Sequence, residues 1–326
     1  MACADNGAHH IPAHPTMKSN SCTPVITIVG LGRMGANMAR RLARGAVTVH
    51  GFDPSAEARE ALASEPGVKL HATLAASVLA QTGQRLVWLM LPAGAITEQT
   101  LTELASLLAD GDVLVDGGNA NYLDSQARAQ HWKTLGVEFV DCGVSGGVWG
   151  LKEGYCLMAG GEADAIAALK PLFACLAPAP DRGWLHCGPS GAGHFTKMVH
   201  NGIEYGMMQA YAEGFALMAG RSDLTPDLAA VAETWRHGSV VRSWLLDLTT
   251  TALQEPGAMA AIAPVVADSG EGRWAVDESI RQGTPVPVIA AALMARFSSP
   301  GRAATRHTLL SLMRKGFGGH ATVAKA

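Results

Sequence analysis

The sequence lacks the features that would send it out of the cell or into a membrane. Its six cysteines (Cys3, Cys22, Cys142, Cys156, Cys175 and Cys187) are scattered along the chain. None forms a C-x-x-C pair, and no Cys/His spacing suits zinc, so no metal site is expected. They read as reduced thiols in a cytoplasmic protein. No apolar run approaches the roughly 18 residues that a membrane span requires. The first 23 residues carry His, Pro, Asn and Ser without an apolar core, which excludes a secretory signal. Residues 1–23 read instead as a disordered leader, with Met17 a candidate start. Net charge is also scarce: the formal value of −3 gives no general drive towards nucleic acid or an anionic membrane. An anion, if bound, must be held by a few placed basic residues.

What the chain does have is apolar bulk. With 326 residues, 48% hydrophobic and 16% charged, it can build a large core in one large domain or two ordinary ones. Val25–Val29 is a short β-branched run, followed at once by Gly30-Leu31-Gly32-Arg33-Met34-Gly35. Helical spacing starts at Met34, and a second strand over Val47–Phe52 ends at Asp53. An acid at that strand end, about twenty residues after the first glycine, completes the dinucleotide-binding fingerprint in its required strand–turn–helix setting. Gly30 is assigned the tight turn, Gly32 the close approach to a pyrophosphate, and Gly35 the packing of helix on strand. The helix N-terminus then faces the phosphates with its free amides. Asp53 can accept the ribose hydroxyls of NAD and repels the extra phosphate of NADP, so NAD is preferred. Arg59, at least a helical turn further on, tempers this only weakly.

Strand and helix patterns go on alternating as far as Trp184–Cys187, which implies a mainly parallel sheet with right-handed crossovers. Ligands of such sheets bind at the carboxyl ends of the strands. The turns expected there are Leu91-Pro92-Ala93-Gly94, Asp116-Gly117-Gly118-Asn119 and Gly143-Val144-Ser145-Gly146-Gly147. Asn119 and Ser145 offer hydrogen bonds to cofactor or substrate.

Gly191–Gly206 then opens a long helix expected to reach about Gly220. Counting by three and four from Lys197 brings His200, Asn201, Glu204 and Tyr205 onto one face, with His194 a turn earlier. The remaining positions are small or apolar and are expected to pack inside, leaving the polar stripe to line a cleft. A Lys and a Glu two turns apart can serve as base and acid in proton transfers. Beyond this helix every pattern is helical. The fold expected is an α/β Rossmann-type domain over 24–190, followed by an all-α domain over 191–326 for substrate and oligomerisation. In that half Arg236, Arg242, Arg273, Arg296 and Arg314 are candidates for an anionic substrate group. The basic, glycine-rich stretch Arg314–His320 is an odd sequence for a frayed end.

Taken together, G-L-G-R-M-G-A-N, D-G-G-N, G-V-S-G-G and K-M-V-H-N-G-I-E-Y-G resemble the decarboxylating 6-phosphogluconate dehydrogenases, within the β-hydroxyacid dehydrogenase superfamily. The resemblance spans about Val25 to His320 and is to a short-chain, NAD-preferring branch. It implies Lys197 as catalytic base and Glu204 as acid. It also implies substrate contacts at Asn119, Ser145, Gly146, Gly147, His200, Asn201 and Tyr205, with Arg296 as a phosphate ligand. Arg314 and His320 would reach a neighbouring subunit's site, making a homo-oligomer, a dimer or tetramer. Cofactor contacts fall on Gly30, Leu31, Gly32, Arg33, Met34, Gly35, Asp53, Leu91, Pro92 and Asn119. The expected activity is oxidative decarboxylation of a small phosphorylated sugar acid, 6-phosphogluconate, with NAD and no metal. One departure stands out: where the common form reads K-G-T-G-K-W, this chain has Ser269-Gly270-Glu271-Gly272-Arg273-Trp274, so a Lys contact to phosphate is gone. Two other readings stay open. One is a sibling dehydrogenase for a 3-hydroxyisobutyrate-like acid; the other is a non-catalytic dinucleotide binder.

Overall fold

The computed structural model describes residues 24–262 and 265–299. The expected leader and the tail with Arg314 and His320 lie outside them. Eight strands form one sheet: β1 (Val25–Val29), β2 (Thr48–Phe52), β3 (Val68–Leu70), β4 (Leu86–Leu89), β5 (Val113–Asp116), β6 (Glu138–Ser145), β7 (Cys156–Gly160) and β8 (Trp184–Gly188). Their spatial order is 3-2-1-4-5-6-7-8. Strands such as β4, Leu-Val-Trp-Leu, are buried along their whole length, as a sheet covered on both faces requires. Helices α1 (Arg33–Arg44) and α7 (Ala163–Leu176) cover one face, over Ile26, Val49 and Trp88. Helices α3 (Leu74–Leu79), α4 (Ala95–Leu104) and α5 (Tyr122–Thr134) cover the other, over Val29, Leu89 and Leu114.

Neighbouring strands are parallel except β6 and β7. The link between that pair holds only a 3-10 turn (Gly147–Trp149) and the single-turn α6 (Gly150–Glu153). It is too short for a crossover, so the chain turns straight back. The sequence pattern passed over β3, α3 and the five-residue α2 (Ala56–Glu60), because so few residues show no clear period. The strand order reverses between β1 and β4, which opens a crevice at their carboxyl ends.

Helix α8 (Ala192–Ala219) runs from the sheet into the helical half. Its start is fixed by Asp141 on β6, whose buried carboxylate accepts hydrogen bonds from the amides of Gly191 (2.6 Å) and His194 (2.7 Å). Glycine makes the close approach possible. A side chain at Gly193 would strike the Asp141 and Met158 carbonyls, and one at Gly143 would strike the Lys197 side chain. The rest of the half is α9 (Leu228–Arg236), α10 (Trp244–Gln254), α11 (Ala258–Ala261), α12 (Glu271–Gln282) and α13 (Pro287–Phe297). Gly202 of α8 lies against Ile289 and Ala275, so α12 and α13 cover one flank. The expectation that the apolar remainder of α8 is interior holds for Met198 but not for Val199, Ile203 and Met207, which are exposed. Among the described residues nothing buries these three side chains.

Replacing Asp141 with Ala should leave two buried amides without partners, at a cost of roughly 2–5 kcal/mol. Urea unfolding of the variant within about 0.5 kcal/mol of wild type, the range of neutral surface changes, would show that this cap does not hold α8 in place.

Candidate active site

The crevice at the sheet's order reversal is lined by Gly32, Arg33, Met34 and Gly35 on one side and by Leu91, Pro92, Gly118 and Asn119 on the other. Each glycine has a distinct geometric reason. Gly30 has φ +92°, and a side chain at Gly35 would strike the Gly30 carbonyl; at Gly32 the space is open. No side chain caps α1 and its first turn holds no acid, so its leading amides are free for an anion. These residues fit the pyrophosphate of a dinucleotide. Leu31 takes part differently from what its place in the motif suggests: its side chain is in the core, while its amide donates to Asp53 Oδ2 at 2.8 Å. The Ser55 amide donates to Asp53 Oδ1, also at 2.8 Å. The carboxylate is thereby aimed and keeps lone pairs for ribose hydroxyls. Arg59 is nearer than its spacing suggested, for α2 folds it back to donate to the Asp53 and Pro54 carbonyls.

A second and larger cavity, of about 1040 Å³, lies along α8. Lys197, His200, Asn201, Glu204 and Tyr205 all line it, as the helical spacing foretold. Ser145, Gly146 and Gly147 form its wall at the end of β6, and Arg296 of α13 enters from the far side. Met34, Asn119 and Val144 border both cavities. The polar stripe therefore opens onto the same space as the end of the nucleotide crevice, with Asn119 at the junction.

Lys197 is 8% exposed, and burial holds its pKa below the usual lysine range. Glu204 and Glu271 act in the opposite sense, favouring the ammonium. A lysine placed between those influences gives up its proton more readily than an exposed one. Glu204 is half open to the cavity, with its Oε2 3.8 Å from His200 Nδ1. His200 also meets Asn201 Oδ1 at 3.1 Å and Ser145 Oγ at 3.4 Å, which ties the stripe to the serine turn. Arg296 lies over the Tyr205 ring, 3.5 Å from its centre, and donates to the Ala267 carbonyl.

The other arginine candidates are engaged elsewhere. Arg236 pairs with Glu233 and Asp247, and Arg273 pairs with Asp268 and stacks on Phe297. Arg242 is exposed and does not itself line the cavity, although its neighbours Ser243 and Trp244 do. Arg314 and His320 are outside the described residues. Sequence reasoning did not foresee the placing of Glu271. It is buried, accepts from Ser269 Oγ at 2.6 Å and Tyr205 OH at 3.4 Å, and borders a small void with Lys197, Asn119 and His194. A carboxylate standing where the common motif has threonine was the available signal. His194, grouped with the stripe by spacing, turns towards the sheet half and meets Ser125 Oγ at 2.7 Å.

This architecture can be set beside known proteins. The NAD binding domain of 6-phosphogluconate dehydrogenase matches residues 25–187, and the C-terminal domain of that enzyme matches residues 193–321. An NAD(+)-dependent, decarboxylating 6-phosphogluconate dehydrogenase of Haloferax volcanii is 42% identical over 300 residues, covering 91% of this chain and 98% of its own. The decarboxylating enzyme of Salmonella typhimurium is 34% identical over 286 residues; the match takes 84% of this chain but only 61% of the longer relative. Among solved structures, Plasmodium falciparum 6-phosphogluconate dehydrogenase superposes with a TM-score of 0.78 at 26% identity, over 92% of this chain and 66% of the other. With both halves matched in order and a relative of equal length so similar, the chain belongs to the 6-phosphogluconate dehydrogenase family.

Proposed function

We propose that the protein oxidises and decarboxylates 6-phosphogluconate to ribulose 5-phosphate and carbon dioxide with NAD. The observation that supports this best is the buried Lys197 sharing one helical face with Glu204, where the nucleotide crevice meets the larger cavity. When bound, NAD supplies a hydride acceptor for C3 of the substrate. Neutral Lys197 takes the proton of the 3-hydroxyl as the C3 hydrogen leaves as hydride. The resulting 3-keto acid has its carboxylate β to the new carbonyl. Lys197, now an ammonium, holds that oxygen by charge and hydrogen bond in a dry site while the C1–C2 bond breaks. The electron pair passes to the enediol as carbon dioxide leaves, and Glu204 gives a proton to the former C2, which becomes C1 of ribulose 5-phosphate. Ser145, His200 and Asn201 are assigned to the sugar acid's hydroxyls and carboxylate, and Arg296 to its phosphate. Asp53 assigns the cofactor to NAD.

The exposed apolar residues beside this site support a symmetric assembly. Val199, Ile203 and Met207 on α8 and Trp244 and Leu248 on α10 are too many in one region for a chain that works alone. We assign them to contact with a second copy, whose tail, with Arg314 and His320, would complete the site. The scattered cysteines support a cytoplasmic setting for this chemistry.

Lys197→Met should reduce turnover by about 10³-fold, the scale of lost acid–base catalysis, with NAD binding retained in a calorimetric titration. Activity within tenfold of wild type removes Lys197 from this role. Glu204→Gln should suppress exchange of the C1 proton of ribulose 5-phosphate with solvent, and unchanged exchange would assign the acid elsewhere. For the cofactor, kcat/KM measured with both nucleotides should favour NAD in the wild type. Asp53→Ser should weaken NAD use by about tenfold, the scale of one or two lost hydrogen bonds to a charged group; a wild-type preference for NADP would overturn the assignment. The tail calls for mixing. Lys197→Met and Arg314→Ala, each inactive alone, should regain activity after their subunits exchange, and no recovery despite proven exchange would confine the tail to its own chain.

A further inference from the structure

Glu271 is the departure that the family resemblance left unexplained. Its position corresponds to the threonine of the common motif, and a carboxylate beside a phosphate would repel it. The structure gives the side chain another direction. Glu271 opens α12, is 3% exposed, and is held by the hydroxyls of Ser269 and Tyr205 on the same oxygen, Oε2. Burial keeps the Tyr205 hydroxyl protonated well into the alkaline range, so it remains a donor. Glu271 and Lys197 border one small void between α8, α12 and the Asn119 turn.

Two carboxylates thus bear on one lysine, and they differ in freedom. Glu204 is half exposed and faces the open cavity. Under the reading above it must itself be protonated to deliver a proton to C1. At that stage its charge no longer balances an ammonium at Lys197. Glu271 also lines that cavity, but it is only 3% exposed and its carboxylate accepts from two hydroxyls, which fixes its position. We infer that Glu271 is a positioning residue, the fixed counter-charge of the Lys197 ammonium, through the part of the cycle in which Glu204 is neutral.

The charged and titratable groups around Lys197 come from several elements. They are His194, His200 and Glu204 on α8, Cys156 on β7, Arg296 on α13 and Glu271 on α12. Of the carboxylates, only Glu271 has no proton to transfer in the proposed reaction. The inference rests on the assignment of Lys197 as base, so its test includes a readout that does not need turnover.

The full-length protein carrying [¹³C]lysine is titrated by NMR with NAD bound, and the Lys197 signal is the one lost in Lys197→Met. Glu271→Gln keeps size and hydrogen-bonding capacity but removes the charge. The sign follows directly: without the negative neighbour the ammonium is less favoured, so Lys197 should titrate at lower pH. The acid limb of kcat/KM for 6-phosphogluconate should move down with it, and kcat should fall about tenfold, the equivalent of one pKa unit of lost interaction with the ammonium. Glu271→Asp, which keeps the charge, should titrate close to wild type. An unmoved Lys197 signal in a folded Glu271→Gln protein, or an equal shift in Glu271→Asp, would overturn the inference. If the wild type does not turn over 6-phosphogluconate, the functional reading fails separately, and the NMR titration still decides whether Glu271 holds the lysine's charge.

Discussion

The structure depends on one buried carboxylate. Asp141 sits within β6 and accepts two amides at the start of α8. This bond pair is the junction of sheet and helical half. It fixes the level at which α8 leaves the sheet, and the helical repeat then fixes everything along it. Lys197 falls one turn in, over Gly143, and Glu204 two turns later, in the open cavity. Burying a carboxylate is costly, and desolvation does raise the pKa of Asp141. The two amide bonds and the neighbouring His194 work against that rise.

Close backbone approach is the second constraint. Gly143, Gly160 and Gly193 meet where β6, β7 and α8 cross, and a methyl group at any of them would collide with a neighbouring chain segment. The lysine is buried because the helix lies this low on the sheet. Its lowered pKa is therefore a property of packing, produced by glycines that never touch a substrate.

Much of this was legible in the residues. Gly30, Gly32 and Gly35 are legible because a strand precedes them and a helix follows, which leaves each one a single geometric task. The stripe from Lys197 to Tyr205 is legible because helical spacing is rigid over two turns. What escaped depends on contacts distant in sequence. No local pattern shows that Glu271 would turn inward to Tyr205, since the pairing needs α12 packed on α8. The direction of β7 was hidden for a similar reason, because a short link and a weak crossover look alike in sequence. Arg59 was judged by its distance along the chain, yet a five-residue helix brings it back to the Asp53 carbonyl. Periodicity also treated Val199, Ile203 and Met207 as interior, although their covering does not come from the described part of this chain.

Met34, Asn119 and Val144 belong to the walls of both cavities. A molecule in either space rests on atoms that also shape the other. Any coupling between the two occupancies that passes through these shared walls is symmetrical. Whatever factor the nucleotide adds to the affinity of the sugar acid, the sugar acid must return to the nucleotide.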